Sequence, residues 1–155
     1  MDDPCFWPEF LIFSIFAFPI SGIDICSRRI PDMLSLPCFL LIFFVRILFA
    51  PESLLMFLGA ALFGGALFFC IRLGTGGLGL GDVKFAAVIG LTCGFPLVLA
   101  AFFIASVLGF AAAVILRISG IRIKFLPFGP FLCAGTVTSL LLAHFLQIFK
   151  YFFVY

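Results

Sequence analysis

Seven of the 155 residues are acidic, and three of them, Asp24, Asp32 and Asp82, stand beside long apolar runs rather than in polar stretches. An ionisable group within or next to an apolar span is costly, so its position is a functional hypothesis by default. Two carboxylates sharing a site do not both ionise readily, and one keeps its proton. The ionised member takes a proton from a water as that water attacks a peptide carbonyl, while the protonated member donates to the carbonyl oxygen. Such chemistry requires no metal, no cofactor and no covalent intermediate. Each acid also has a plainer use. Asp32 follows Pro31 and precedes Met33-Leu34-Ser35-Leu36, as a helix N-cap or first-turn residue does. Asp82 follows Gly81 and suits a similar capping role, and Asp24 is spaced for an i,i+4 pair with Arg28.

Asp82 closes the most unusual local sequence, Gly74-Thr75-Gly76-Gly77-Leu78-Gly79-Leu80-Gly81-Asp82. Residues 74–79 satisfy G-x-G-x-x-G, but an apolar helix precedes them and no βαβ unit is present, which rejects a dinucleotide site. Leu80 stands where a Walker A loop needs Lys. Glycines do allow irregular backbone at membrane depth where it lines a cavity. A carboxylate at the end of such a stretch meets an extended peptide backbone without side chains in the way. His144, the single His, lies deep in the last apolar run with no charged neighbour and reads as a packing residue.

The elements that must position these acids follow from composition. The chain is 65% hydrophobic and 10% charged, against about 45–50% apolar and about 25% charged for a soluble domain. That excludes a soluble enzyme, and it excludes disorder, which needs low hydrophobicity and high charge. Continuous apolar runs exclude a lipid-facing barrel, whose strands alternate. The expected fold is an all-α integral membrane protein of six transmembrane helices, over roughly 8–24, 33–49, 53–72, 82–94, 96–117 and 128–149. The fourth, after the Gly-rich loop, is short for a core of about 30 Å, and so is expected to be short or partly unwound. A single transmembrane domain over 1–155 is expected, with no separate soluble or methyltransferase domain. The first run, preceded by Asp2, Asp3 and Glu9, reads as a span and not a cleaved signal. Cys5, Cys26, Cys38, Cys70, Cys93 and Cys133 are scattered singly, which argues against a metal site or a disulfide framework.

Charge decides whether 83–117 crosses once or twice. With a reversal at Gly94–Pro96, Arg28, Arg29, Arg72, Lys84, Arg117, Arg122 and Lys124 share one side, and only Arg46 and Lys150 lie on the other with Asp2, Asp3, Glu9 and Glu52. The positive-inside rule then places the first group in the cytoplasm and both termini outside it.

Three segments carry a family resemblance. Gly79-Leu80-Gly81-Asp82 is the GxGD signature of intramembrane aspartic proteases, and its continuation Val83-Lys84-Phe85-Ala86-Ala87-Val88-Ile89-Gly90 resembles the type IV prepilin leader peptidases. Asp24-Ile25-Cys26-Ser27-Arg28-Arg29-Ile30-Pro31-Asp32 looks like that family's first aspartate motif, and Pro127-Phe128-Gly129-Pro130-Phe131-Leu132 with Gly135 like its final-span motif. The resemblance implies that Asp24 and Asp82 are the catalytic pair, with Asp32, Gly79, Gly81, Lys84, Pro127, Gly129 and Pro130 supporting or binding substrate. Asp32 is the candidate contact for a basic leader, and Lys84 either snorkels to the headgroups or helps hold Asp82. The implied substrate is a prepilin or pseudopilin precursor, cut at the cytoplasmic face of a prokaryotic inner membrane between a short basic leader and a hydrophobic helix. Membrane lipids are the other expected partner, and no nucleic acid is. Long members carry a cytoplasmic domain with paired C-x-x-C motifs that methylates the new N-terminus. This chain lacks those pairs and resembles the short, peptidase-only members. Two other readings compete: a small cation- or proton-coupled transporter using Asp24 and Asp82 beside a broken helix, and a scaffold subunit in which the acids are only caps.

Overall fold

The computed structural model describes residues 6–27, 29–75, 78–95, 97–119 and 126–154, with 147–154 as backbone alone. Asp2, Asp3, Cys5, Arg28, Gly76, Gly77, Pro96, Arg122, Lys124 and the Lys150 side chain therefore lie outside the described residues. The chain is a bundle of helices: α1 Phe6–Ser27, α2 Asp32–Phe49, α3 Leu54–Thr75, α4 Leu80–Cys93, α5 Leu97–Ile118 and α6 Gly129–Val154. A 3₁₀ turn over Pro51–Ser53 joins α2 to α3. No strand occurs among the described residues. All the helices but α4 are long and apolar enough to cross a membrane. Their outward faces carry exposed apolar side chains such as Phe18, Met33, Leu55, Leu62 and Ile118, which in a membrane protein meet lipid rather than water.

The 14 residues of α4 rise only about 21 Å, and the helix is regular rather than unwound. Its length is explained by its position. α4 touches each of the other five helices, and Phe85, Ala86 and the run Val88–Cys93 are buried. Enclosed by protein, it need not match the lipid thickness. α3 and α4 pack antiparallel and close: a Cβ on Gly64 would lie 2.6 Å from the Ala86 carbonyl oxygen, and one on Gly90 would overlap the backbone of Ala60. Small residues at such contacts let helix backbones approach, the usual source of packing energy inside a membrane.

The chain does reverse after α4. Gly94 takes φ 64°, a conformation nearly free only for glycine. Its N–H donates to the Gly90 carbonyl at 2.9 Å, and its own carbonyl accepts from Val98 N–H at 3.0 Å. A Cβ there would also lie 2.8 Å from the Phe57 ring. α4 and α5 are thus two segments, and the starts of α1 and α5 share one end of the bundle with the far part of α6. Asp24, Asp82 and the start of α6 occupy the opposite end. Among the described residues Arg29, Arg72, Lys84 and Arg117 belong to that aspartate end by topology, and Arg46 to the other.

Candidate active site

Asp24 sits in the last turn of α1, buried, with 4% of its surface exposed. Its Oδ2 accepts the N–H of Gly129, the first residue of α6, at 2.8 Å. That N–H is one of the donors left without a partner inside its own helix, and the helix N-terminus is a favourable place for a carboxylate. Gly129 is glycine for a spatial reason: a Cβ there would lie 2.6 Å from Oδ2 of Asp24. Phe128 supports the same turn, its carbonyl accepting Phe131 N–H and Leu132 N–H, each at 3.1 Å. Pro127 precedes that turn, and Pro130 is the second residue of α6, an early position where a missing N–H costs no helical hydrogen bond.

Asp82 is the third residue of α4, and its Oδ2 accepts the N–H of Gly79, the N-cap, at 3.0 Å. This is the acid half of a capping box. Gly79 is extended rather than left-handed, at φ −72° and ψ 152°, so close approach rather than backbone twist selects it: its Cβ would lie 3.1 Å from Asp82 Oδ2. Gly81 packs on the segment joining α1 to α2. A Cβ there would lie 2.9 Å from the Ile30 carbonyl oxygen and 3.0 Å from the Ile30 Cβ. This corrects the expectation that these glycines simply clear room for a peptide, because the open side of Gly81 is filled by Ile30.

The two aspartates, 58 positions apart in sequence, reach the same end of the bundle, where burial and, less strongly, the charge of Asp24 push the Asp82 carboxyl above its usual range. In each the described hydrogen bond goes to Oδ2, which leaves Oδ1 to meet a water or a carbonyl. Val83, next to Asp82, lines an apolar recess of about 420 Å³ between α2, α3 and α4 that also includes Phe39, Gly65 and Ala87.

Of two supporting residues, one is placed differently from the sequence expectation and the other matches one of its two readings. Lys84 does not hold Asp82; its Nζ donates to Asp32 Oδ2 at 2.5 Å, with both side chains about half exposed at 53% and 54%. Asp32 is the first residue of α2, the first-turn place expected of it, with Pro31 as the N-cap. Asp32 and Lys84 together tie the start of α2 to the start of α4. His144 packs against Phe6 and Trp7, with ring centroids 4.7 Å and 5.0 Å apart.

Sequence reasoning passed over two cations. Arg72, near the end of α3, donates from Nη1 to the Leu78 carbonyl at 2.5 Å; being the sole charge on α3, beside the glycine loop, was its signal. Arg46 pairs with Glu9 deep inside the far end of the bundle, the two side chains 1% and 3% exposed. Two charges of opposite sign on neighbouring spans, both away from the aspartate end, were the signal there.

The type IV leader peptidase family matches residues 11–114, a stretch that holds both Asp24 and Asp82 but ends before Gly129. A prepilin leader peptidase/N-methyltransferase of Burkholderia pseudomallei is 32% identical over 130 residues, covering 78% of this chain and 42% of the relative. One from Xanthomonas campestris pv. campestris is 30% identical over 146 residues, covering 84% of this chain and 50% of the relative. The chain thus spans about half the length of the curated relatives it matches. No solved structure matches it significantly. With two thirds of its length inside the family's pattern, and Asp24 and Asp82 both within that stretch, this chain belongs to the type IV leader peptidase family.

Proposed function

We propose that the chain is an aspartic endopeptidase that removes a short basic leader from prepilin-like or pseudopilin-like precursors, with Asp24 and Asp82 as its catalytic pair. The observation that supports this reading is that two carboxylates, from α1 and α4, lie at the same end of the bundle, each accepting a backbone N–H. The ionised carboxylate removes a proton from water as the water oxygen bonds to the scissile carbonyl carbon. The protonated carboxylate donates to the carbonyl oxygen, giving a neutral tetrahedral diol. Collapse breaks the C–N bond, a proton passes to the leaving amine, and the pair returns to its one-proton state. The apolar recess at Val83 supports a substrate whose cleavage site adjoins a hydrophobic helix. A transporter reading is disfavoured by membership of a peptidase family and by the position of both acids at helix ends.

Co-expression with a candidate prepilin tests the reading, with leader loss scored by mass. Cleavage that survives both Asp24→Asn and Asp82→Asn would overturn it. The aspartate end is proposed to face the cytoplasm, with both termini outside, from the cation distribution. A reporter fused after Tyr155 is then active only if it works on the extracytoplasmic side. The 155-residue chain is further proposed to cleave without methylating. Its connections at the aspartate end, about 76–79 and 119–128 between helices, are too short to enclose a methyl donor, which needs a pocket of about 300 Å³ or more. A mature N-terminus 14 Da heavier only when this chain is present would contradict that.

A further inference from the structure

The peptide group joining Leu78 to Gly79 is gripped from both sides. Its carbonyl oxygen accepts from Arg72 Nη1 at 2.5 Å, and its N–H donates to Asp82 Oδ2 at 3.0 Å. In a trans peptide the C=O and N–H point to opposite sides of one conjugated plane. A cation on the oxygen draws density from the nitrogen and makes the N–H a stronger donor, as in any polarised chain of hydrogen bonds. One rigid amide therefore stands between the guanidinium at the end of α3 and the carboxylate at the start of α4.

We propose that Arg72 is a positioning residue acting on Asp82 through this single peptide, fixing the carboxylate's orientation and favouring its ionised form. Asp82 is then the base of the pair and Asp24 the acid. The inference rests on the peptidase reading and adds to it a division of roles. The other charged groups on the helices packed against α4 do not supply the same bias. Burial first, and then the charge of Asp24 on α1, oppose the ionisation of Asp82, while the Gly79 N–H favours it. Lys84, on α4 itself, is engaged by Asp32 of α2. Glu9 and Arg46 pair at the far end, where His144 of α6 also packs, and Arg117 closes α5. Asp24 has the smaller exposed surface of the two, and enclosure favours the neutral acid; burial raises the Asp82 carboxyl as well, and that is the bias Arg72 works against.

The test compares Arg72→Gln and Arg72→Lys with the parent protein in the same detergent or bilayer. Gln keeps a donor for the Leu78 carbonyl but removes the charge, whereas Lys keeps the charge. With Arg72→Gln, the acidic limb of the kcat profile is expected to rise by about one pH unit, a roughly tenfold loss on that limb, with KM within twofold. Arg72→Lys is expected to restore most of the shift. A second readout does not depend on activity: in protein labelled with ¹⁵N-glycine, the Gly79 amide proton reports the Asp82 carboxyl it faces. Its titration midpoint is expected to rise with Arg72→Gln and to vanish with Asp82→Asn. An unchanged midpoint in Arg72→Gln overturns the inference, as does full rescue by the uncharged Gln. If Asp82→Asn still cleaves, the peptidase reading fails instead, and the Gly79 titration decides the Arg72–Asp82 link on its own.

Discussion

The two ends of the bundle solve the problem of buried charge in opposite ways. At the far end Glu9 accepts from Arg46 through both oxygens, Nε reaching Oε1 at 2.7 Å and Nη2 reaching Oε2. The guanidinium also donates to Ser53 Oγ at 3.1 Å and lies 3.3 Å above the Phe57 ring centroid. Every direction in which the cation can interact is used, so the pair is fixed and its protons are not for exchange. At the other end two carboxylates stand at helix ends on the same side of the bundle, and the basic side chain next to Asp82 in sequence, Lys84, turns away to Asp32. Backbone N–H groups hold these acids without neutralising them. A matched pair makes a clamp. Two acids with no cation paired to them among the described residues are what the proposed acid–base chemistry would use.

The contrast breaks most completely at the aspartates. Asp24→Asn and Asp82→Asn are each expected to lower cleavage by about 10³-fold or more, with the helical fold retained, since Asn keeps an acceptor for Gly129 N–H or Gly79 N–H. Circular dichroism of the purified variants checks the fold, and the mass of a co-expressed precursor checks cleavage. A single variant that stays active would remove its residue from the pair.

Arg46→Ala should show the converse profile. Breaking one partner of a buried, bonded ion pair typically costs about 3–5 kcal/mol, and here a cation–π contact goes too. The expected result is a marked fall in thermal midpoint, while the remaining folded protein cleaves at a near-parental rate. The double variant Glu9→Leu/Arg46→Met should recover much of the loss, because a matched apolar pair replaces the clamp. Parental stability in Arg46→Ala would show that the pair does not hold the far end together.

The sequence made the acids of one end far more legible than the clamp of the other, for physical reasons. Asp24 and Asp82 sit at breaks in apolar runs, and breaks are visible in one dimension, as are the spans themselves. The shortness of α4 was legible too, but its cause was not, because enclosure by five neighbours is a three-dimensional fact. The Glu9–Arg46 pair joins residues 37 positions apart, each of which looks like an ordinary interfacial charge when read alone. For Lys84 the sequence offered not Asp32 but the lipid headgroups or Asp82, its neighbour two residues away. On a helix, however, such neighbours diverge by about 200°, and Lys84 instead reaches the start of α2. Gly129 was flagged by pattern, yet its reason, the 2.6 Å separation a Cβ would have from Asp24, exists only once α6 meets α1.

Gly129→Ala sharpens the comparison at intermediate strength. The added methyl cannot occupy its place without moving Asp24 or lifting the first turn of α6, and a displacement near 1 Å at a reacting group costs about 10²-fold. A roughly tenfold to hundredfold fall in kcat is expected, with stability little changed because the main packing faces are untouched. Equal loss in Gly79→Ala, whose Cβ would have 3.1 Å to the Asp82 oxygen, is not expected, since that contact yields to a few tenths of an ångström. If Gly129→Ala is fully active, the hydrogen bond to Asp24 is not part of the working geometry.

The smallest effect belongs to the Asp32–Lys84 ion pair at the aspartate end. Asp32 and Lys84 are each about half exposed, so water and salt screen them and the pair contributes at most about 1 kcal/mol to stability. Asp32→Asn is therefore expected to leave the thermal midpoint almost unchanged and to slow cleavage only about two- to fivefold, the rate equivalent of that energy. A substrate with a basic leader adds a direction to this. The leader's cations compete with Lys84 for Asp32, so Lys84→Met frees the carboxylate and should lower KM, whereas Asp32→Asn should raise it. Both differences should shrink as ionic strength rises, because the Debye length falls from about 10 Å at 0.1 M to about 3 Å at 1 M. Equal KM values in the two variants at low salt would mean that Asp32 and Lys84 only join two helices, and that the leader is recognised elsewhere.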